Sequence, residues 1–346
     1  MEKGAVLLKN TGVLPIADKN AKIALVGRFA KEKVIGDHGS SMVHPKKILT
    51  PYDGFKAVYK HVKVASTNET EPCLAAAADS DYIVAVVGND YRDEGEYVAN
   101  ANSKLVVGGD RKSLRLHEEE VNLILALKAT GKPVIVIFYS GSAVLTGEWK
   151  DSADAILYAG YPGMEGGRAL ANLVNGAVNP SGKLPFTVAA DESDYPDFPY
   201  TEEKDQHVAY GYYHGYALFE KEDKVPEYPF GFGLSYTTFA YADASARDEG
   251  DRIVVTCDVE NTGAAAGEEA VLVFVGSGIE GKPHKLLKGF TRVSLAPGEK
   301  KTAQIEIPKT DLRLYDKVSG EMRIPEEITV YVGRDVQDAE ARKIRL

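Results

Sequence analysis

The stretch Tyr82-Ile83-Val84-Ala85-Val86-Val87-Gly88 decides the fold of the first half of this chain. It is a continuous apolar run that ends at a glycine, which is typical of a strand buried on both faces, as in a parallel sheet. Three further apolar runs lie at 23–27, 133–138 and 155–160, and a weaker one, interrupted by Lys63, lies at 62–65. The sequence therefore predicts a series of five buried strands in this half.

A helix is predicted at residues 118–128, between the third and fourth of these strands. Three glutamates occupy its first turn, where the helix dipole favours negative charge, and Gly131 follows its end. Strands that alternate with helices predict an α/β fold, with a mainly parallel sheet flanked by helices. In such sheets ligands bind outside the carboxyl ends of the strands, so the loops that follow the strands are the candidate functional segments.

After residue 236 the hydrophobic pattern changes to a period of two. One set of alternating apolar residues is Ile253, Val255, Cys257 and Val259. Short strands at hairpin spacing predict a small β-sandwich of the immunoglobulin or fibronectin type III kind. We therefore expect an α/β sandwich domain at 1–190, an acidic and then Tyr/Gly/Pro-rich linker at 191–236, and a fibronectin type III-like domain at 237–346.

Composition excludes several classes of protein. The chain has 346 residues and a net charge of -10, which argues against a nucleic acid partner because phosphate binding needs a basic surface. It contains no run of about 18 apolar residues, so no membrane partner is expected. The start has no hydrophobic signal core, which predicts a cytoplasmic protein and leaves export of a parent protein open. Two cysteines and seven scattered histidines show no metal-binding spacing, so we expect no metal and no cofactor.

Four loops that follow predicted strands carry the candidate chemistry: 36–41, 89–111, 139–142 and 160–169. The second gathers acidic residues beside two arginines over about twenty residues, and so long a loop beside a buried strand usually has a task. A carboxyl group there suits general acid/base catalysis if a partly dry site raises its pKa. From the residues alone, a charged surface loop is the simpler explanation, and tight packing explains the glycines of the fourth loop.

Five segments carry a more specific signal: GAVLLKN at 4–10, GYPGMEGG at 160–167, NPSGKLP at 179–185, YPFGFGLSYT at 228–237 and LKGF at 287–290. In this order they resemble the C-terminal half of family 3 glycoside hydrolases, the family of β-glucosidases and β-xylosidases. The resemblance covers essentially the whole chain.

That resemblance implies roles for individual residues. In the family, a loop with a Glu-Gly pair and a later Gly-Asp-Arg supplies the acid/base carboxyl group. Glu94 is the best match for this carboxyl group, and Glu96 is a rival for the same role. The resemblance also implies that Ser40, Asp110 and Arg111 lie at the substrate-binding edge. The simplest role for Arg111 is to pair with a carboxylate of the loop.

The resemblance also implies that part of the active site lies elsewhere. Family members carry the nucleophilic aspartate on a separate (β/α)₈ barrel of about 250 residues, for which domains at 1–190 and 237–346 leave no room. Retaining hydrolysis needs two carboxyl groups about 5–5.5 Å apart. We therefore expect half of a β-glucosidase or β-xylosidase acting on β-linked glucosides or xylosides, with the barrel on another chain or in a missing segment. The alternative is a noncatalytic carbohydrate-binding or interaction module.

Overall fold

The computed structural model describes residues 1–36, 42–95, 98–99, 106–107, 111–196, 211–279, 281–316 and 319–346. The chain divides into two compact units. The first comprises Met1–Gly182 and Ala190–Glu192, and the second comprises Lys183–Ala189 and Ser193–Leu346.

A six-stranded mixed sheet forms the centre of the first unit. The strands of this unit are β1 (Val6–Asn10), β2 (Lys22–Val26), β3 (His61–Ala65), β4 (Tyr82–Gly88), the short pair β5 (Val98–Ala99) and β6 (Val106–Val107), β7 (Val134–Tyr139) and β8 (Ala155–Tyr158). The sheet has the spatial order β1-β8-β7-β4-β2-β3. All its neighbours are parallel except β1 and β8. The predicted mainly parallel sheet is confirmed, and all five predicted strands are present. The strand at 62–65 is not buried as predicted, because β3 lies at the edge of the sheet and is exposed or half-buried along its length.

Strand β1 was not predicted as a strand. It pairs antiparallel with β8 at the edge of the sheet, with Val6 opposite Tyr158. Its last two residues, Lys9 and Asn10, are polar and only half-buried. The segment therefore lacks the continuous apolar run that marks a strand in the middle of a parallel sheet.

Helices accompany this sheet, and four of them pack in two pairs. They are α1 (Pro51–Val58), α2 (Thr70–Ala77), the single turn α3 (Tyr91–Glu94), α4 (Glu118–Lys128) and α5 (Gly166–Asn175). Helix α1 packs against α5, and α2 packs against α4. The predicted helix at 118–128 is confirmed as α4. A capping box between Thr50 and Asp53 starts α1, because each side chain accepts a hydrogen bond from the other residue's backbone N–H.

Two glycines allow α1 and α5 to approach each other closely. A Cβ atom on Gly167 would lie 1.9 Å from the Thr50 carbonyl oxygen, and one on Gly54 would lie 1.8 Å from the Gly167 carbonyl oxygen. No side chain fits at such distances. The glycines at this end of the 160–169 loop therefore serve the packing of helix on helix.

The second unit contains a β-sandwich. Its strands are β9 (Phe239–Asp248), β10 (Arg252–Asn261), β11 (Gly267–Gly276), β12 (Leu286–Leu295), β13 (Lys300–Pro308), β14 (Leu314–Asp316), β15 (Glu321–Arg323), β16 (Thr329–Gly333) and β17 (Lys343–Arg345). One sheet has the order β13-β10-β9, the other has β12-β11-β16-β17, and β14 and β15 form a hairpin. The predicted inward-facing residues of β10, Ile253, Val255, Cys257 and Val259, all belong to the core.

The described part of residues 211–236 packs within the second unit. It contains the helix α6 (Gly215–Lys221), where the sequence analysis predicted no regular element. Tyr216 on α6 stacks near Phe230, with ring centroids 4.9 Å apart, and both rings lie beside Phe274 of β11. Strand β11 is consequently buried on both faces, which its alternating valines alone did not reveal.

Candidate active site

Three neighbouring strands, β4, β7 and β8, end at the same edge of the first unit's sheet. Asn89 and Asp90 follow β4 and are almost fully buried, and Ser140 follows β7 and is fully buried. The Asn89 amide donates a hydrogen bond to the Ser140 hydroxyl at 3.4 Å, and the Tyr158 hydroxyl donates to the Ser140 carbonyl oxygen at 2.9 Å. This is the edge at which the sequence analysis placed the functional loops.

The turn α3 follows β4 and forms because of a second capping box. The Asp90 carboxylate accepts a hydrogen bond from the Arg92 N–H at 2.9 Å, and the Asp93 carboxylate accepts one from the Asp90 N–H at 2.9 Å. These contacts satisfy N–H groups that a helix start leaves unpaired. The result is a single ordered turn that presents Asp93 and Glu94 side by side.

Glu94 connects three of the loops that leave the sheet edge. One carboxylate oxygen, Oε1, accepts hydrogen bonds from the Gly141 N–H and from the Tyr161 hydroxyl. The other, Oε2, lies 3.1 Å from Nε of Arg111. Arg111 in turn donates from Nη2 to the Ser142 hydroxyl and to the Ala143 carbonyl oxygen, the latter at 2.9 Å. This is the carboxylate pairing that the sequence analysis expected of Arg111.

These contacts suit an ionised carboxylate. Oε1 of Glu94 accepts hydrogen bonds from two donors, and Oε2 forms an ion pair with a charged guanidinium. Burial, followed by the hydrogen bond to Glu94, raises the pKa of Tyr161 well above its usual value. Burial, with the charge of Glu94, raises the pKa of Tyr158 to about 12. Tyr161 therefore remains a hydrogen-bond donor to Glu94.

Asp93 faces a second group of charged residues. Its Oδ2 lies 2.7 Å from Nη2 of Arg28, and its Oδ1 lies 2.9 Å from Nε2 of His117. Arg28 follows β2, and its Nε lies 3.0 Å from Oε1 of the fully buried Glu120 on α4. Arg28 and Glu120 also form hydrogen bonds with the backbone of Gly88, the last residue of β4. Arg28 donates to the Gly88 carbonyl oxygen, and Glu120 accepts from the Gly88 N–H at 3.2 Å. We call Arg28, Asp93, His117 and Glu120 the Asp93 cluster.

Burial, charge and hydrogen bonds shift the pKa values of Glu120, Asp93 and His117 in the Asp93 cluster. Burial raises the pKa of Glu120 to about 7, although the charges of Arg28 and His117 oppose it. Burial also acts to raise the pKa of Asp93, but hydrogen bonds from His117 and the Asp90 N–H, together with the charge of Arg28, hold it well below its usual range. The hydrogen bond to Asp93 raises the pKa of His117. Asp93 is therefore a firmly ionised residue.

Of the residues predicted for the site, the structure brings Glu94 and Arg111 together. Ser40, Glu96 and Asp110 lie outside the described residues. Within the described ranges, no group of three or more His, Cys, Asp or Glu residues is placed to hold a metal ion. In the same part of the chain, no helix has the length and apolar character to cross a bilayer.

Sequence analysis did not single out the Asp93 cluster or Tyr161. Two signals point to the cluster in retrospect. Arg28 directly follows the glycine that ends a predicted strand, so it lies at the functional edge of the sheet. Glu120 precedes Leu123 and Ile124 by three and four residues, so it shares their buried helix face.

Comparison with known proteins identifies the class. Residues 5–236 match the glycosyl hydrolase family 3 C-terminal domain, and residues 269–336 match a fibronectin type III-like domain. The chain therefore belongs to glycosyl hydrolase family 3, as the sequence motifs indicated.

Individual relatives agree with this assignment. The chain is 31% identical to a beta-xylosidase of Formosa agariphila, with 100% of this chain and 49% of the relative covered. It is 32% identical to a beta-glucosidase of Ruminococcus albus, with 97% and 39% covered. The chain spans half or less of the length of these curated relatives.

Solved structures show the same relationship. A family 3 beta-glucosidase of Bifidobacterium adolescentis superposes with a TM-score of 0.85 at 31% identity, covering 99% of this chain and 51% of that one. The beta-D-glucoside glucohydrolase of Trichoderma reesei gives a TM-score of 0.89 at 26% identity, covering 99% and 53%. The predicted α/β sandwich followed by a fibronectin type III-like domain is confirmed.

Proposed function

We propose that this chain supplies the acid/base carboxyl group of a retaining β-glycosidase that hydrolyses terminal β-linked glucosides or xylosides. The observation that carries the proposal is the ordered turn α3 at the carboxyl edge of a family 3 C-terminal domain, with Glu94 held by Arg111. Relatives named as a beta-xylosidase and a beta-glucosidase support the substrate class.

The nucleophilic aspartate of this reaction would lie on a (β/α)₈ barrel outside this chain, either on a partner chain or in another segment. The described residues form no eight-stranded barrel, and the chain spans about half of the solved relatives. Exposed apolar side chains near the site support a docking partner: Met42 and Val43 precede α1, and Met164 precedes α5. The two loops adjoin, because the Leu49 N–H donates to the Met164 carbonyl oxygen at 2.8 Å.

In the proposed reaction, the acid carboxyl group gives its proton to the glycosidic oxygen while the barrel aspartate bonds to the anomeric carbon. The leaving alcohol departs with that proton. The resulting carboxylate then takes a proton from water, whose oxygen attacks the anomeric carbon and releases the aspartate. One glycosidic bond is exchanged for one water, and the acid group regains its proton.

The contacts of Glu94 favour its rival Glu96 as the proton donor. A general acid must carry a proton on an oxygen that reaches the leaving group. Instead, Oε1 of Glu94 accepts from Gly141 and Tyr161, and Oε2 pairs with Arg111, so contacts within the protein hold both oxygens. We therefore assign Glu94 as the anchor of the loop and Glu96, two residues further on, as the acid/base. This reverses the order in which the sequence motifs ranked the two.

Leaving-group dependence tests the assignment in an enzyme that combines this chain with its barrel. Without its acid, an enzyme still cleaves substrates whose leaving group needs no proton, such as 2,4-dinitrophenyl β-glucoside, and azide then intercepts the glycosyl–aspartate. We expect this behaviour from Glu96→Gln, whereas Glu94→Gln should lose activity toward good and poor leaving groups alike. The opposite pattern would exchange the two roles.

Binding by the chain alone tests the activity itself. If the chain without any barrel binds glucose or cellobiose tightly and saturably, and no barrel restores turnover, it is a noncatalytic sugar-binding module and the proposed function is wrong. Restored turnover of an aryl β-glucoside on mixing the two parts supports it.

A further inference from the structure

The Asp93 cluster joins three segments of the first unit: the one that follows β2, the turn α3 and the start of α4. Arg28 lies in the segment that follows β2, Asp93 lies in the turn α3, and His117 and Glu120 lie at the start of α4. The cluster also forms hydrogen bonds with both backbone polar groups of Gly88, at the end of β4. It is therefore built to hold α3 in one place relative to the sheet.

Both carboxylate oxygens of Asp93 make contacts within the protein. Its Oδ2 contacts Arg28 and the Asp90 N–H, and its Oδ1 contacts His117. Its neighbour Glu94 makes the contacts with the loops after β7 and β8. One helical turn is thus held through two consecutive carboxylates, by the charged cluster on one and by the site loops on the other.

We propose that Asp93 is a positioning residue, whose contact with protonated His117 and with Arg28 fixes the turn that carries Glu94. Its consequence for catalysis rests on the proposed function, but the positioning itself does not. If so, the order of α3 depends on the charge of the partly exposed His117 side chain.

The sign of this dependence follows from the groups around His117. Asp93 on α3 and Glu120 on the histidine's own helix favour its protonated form, and burial and the charge of Arg28 at the end of β2 disfavour it. The net shift of the His117 pKa is upward. The contact is therefore complete at pH values below the ordinary histidine value, and it weakens as pH rises through the shifted one.

Hydrogen exchange on the whole chain tests the proposal without any sugar chemistry. The Glu94 and Gly95 N–H groups donate to the carbonyl oxygens of Asp90 and Tyr91, so their protection factors report the integrity of α3. We expect protection of these amides to fall about tenfold as His117 loses its proton, the effect of weakening one charge-assisted hydrogen bond. His117→Gln should show the lower protection at every pH. The control His61→Gln, at an exposed position on β3, should behave like the wild type.

An NMR titration of the His117 ring supplies a measurement that needs no variant. A His117 that titrates at or below the ordinary histidine value in the wild-type chain would overturn the proposal, as would equal protection in the wild type and in His117→Gln at every pH. Asp93→Asn should return the titration toward the ordinary value; an unchanged titration in that variant also counts against the contact.

Activity of the barrel-containing enzyme tests the catalytic consequence. We expect His117→Gln to lower kcat at neutral pH toward the value that the wild type reaches only at alkaline pH, with little change in KM. If the wild-type enzyme cleaves no glycoside, the proposed function fails while the exchange and titration data still decide the role of Asp93. If the wild-type enzyme does cleave glycosides, and the pH profiles of kcat for the wild type and for His117→Gln coincide, α3 is not positioned by this contact.

Discussion

Nε of Arg28 lies 3.0 Å from Oε1 of Glu120, and the Glu120 side chain has no exposed surface. A buried carboxylate is costly unless charges and hydrogen bonds compensate it. Glu120 accepts from the Gly88 N–H as well, so the strand end and the arginine together stabilise it.

Replacing Arg28 should leave Glu120 as an uncompensated buried charge. We expect Arg28→Met to lower the free energy of unfolding by about 3–5 kcal/mol at pH 8, measured by urea denaturation. In the Arg28→Met background, Glu120→Gln should recover most of the loss, because the amide carries no charge and still accepts from the Gly88 N–H.

The stability loss in Arg28→Met should depend on pH, in a direction that the pKa of Glu120 sets. The pKa of Glu120 in the folded state, about 7, lies above its ordinary value of 4.5, so the folded state binds the proton more tightly than the unfolded state. The contribution of Glu120 to stability is therefore highest below pH 4.5 and falls as pH rises toward the folded pKa. Arg28→Met should steepen this fall, and a loss that is equal at pH 5 and pH 8 would contradict the explanation.

The close approach of α1 and α5 predicts a sharp size limit at Gly167. Gly167→Ala should destabilise the first unit by about 1–3 kcal/mol or more, because its Cβ atom would overlap the Thr50 carbonyl oxygen. Gly147→Ala is the matched control, since the nearest heavy atom to its Cβ would be 4.0 Å away. Thermal unfolding of the two variants checks this; equal melting temperatures would show that the helices separate without cost.

The Tyr161 hydroxyl should contribute to holding Glu94. We expect Tyr161→Phe to lower the free energy of unfolding by about 1.5–3 kcal/mol, the range for a hydrogen bond to a charged group, and to reduce kcat in the barrel-containing enzyme. Tyr315→Phe, at a half-exposed position of the second unit, is the control for removing a phenol hydroxyl. A Tyr161→Phe enzyme with unchanged stability and rate would show that Arg111 and Gly141 suffice.

Residues 183–236 should stabilise the β-sandwich. The Tyr216 hydroxyl accepts from the Leu287 N–H at 3.0 Å, and the rings of Tyr216 and Phe230 cover Phe274. A fragment spanning 183–346 should therefore unfold at higher urea concentration than one spanning 237–346, since each aromatic pair adds about 0.5–1.5 kcal/mol beyond burial. Coincident unfolding curves would show that the sandwich is independent of this segment.

The central strands and α4 were predictable because each carries its own periodic signal. Strands β4 and β7 are uninterrupted apolar runs, and only a strand buried on both faces uses such a run. The antiparallel strand β1 escaped prediction because its polar end removes that signal. The turn α3 escaped because four charged or aromatic residues resemble a surface loop until the capping box of Asp90 and Asp93 is seen.

The candidate site, like the fold, was predictable only in part. Strand order predicts that the 89–111 loop lies at the sheet edge, whereas the family resemblance singled out Glu94 and Arg111 within that loop. The partners of Asp93 come from the segment after β2 and from the start of α4, which are distant in sequence, so no local pattern joins Arg28 to Glu120. Whether a carboxylate serves as an anchor or as a proton donor depends on which donors surround it, and spacing along the chain does not encode that.

Gly88 has a consequence for protein engineers. Its φ is +116°, and an added Cβ atom would lie 2.2 Å from the Tyr139 carbonyl oxygen, so no other residue fits there. The side chains of Arg28 and Glu120, which are distant in sequence, form hydrogen bonds with its backbone. A graft of residues 88–95 onto a foreign scaffold would lack the Arg28 and Glu120 side chains, and the grafted segment should not keep its conformation. The transplantable module is the segment together with Arg28, His117 and Glu120.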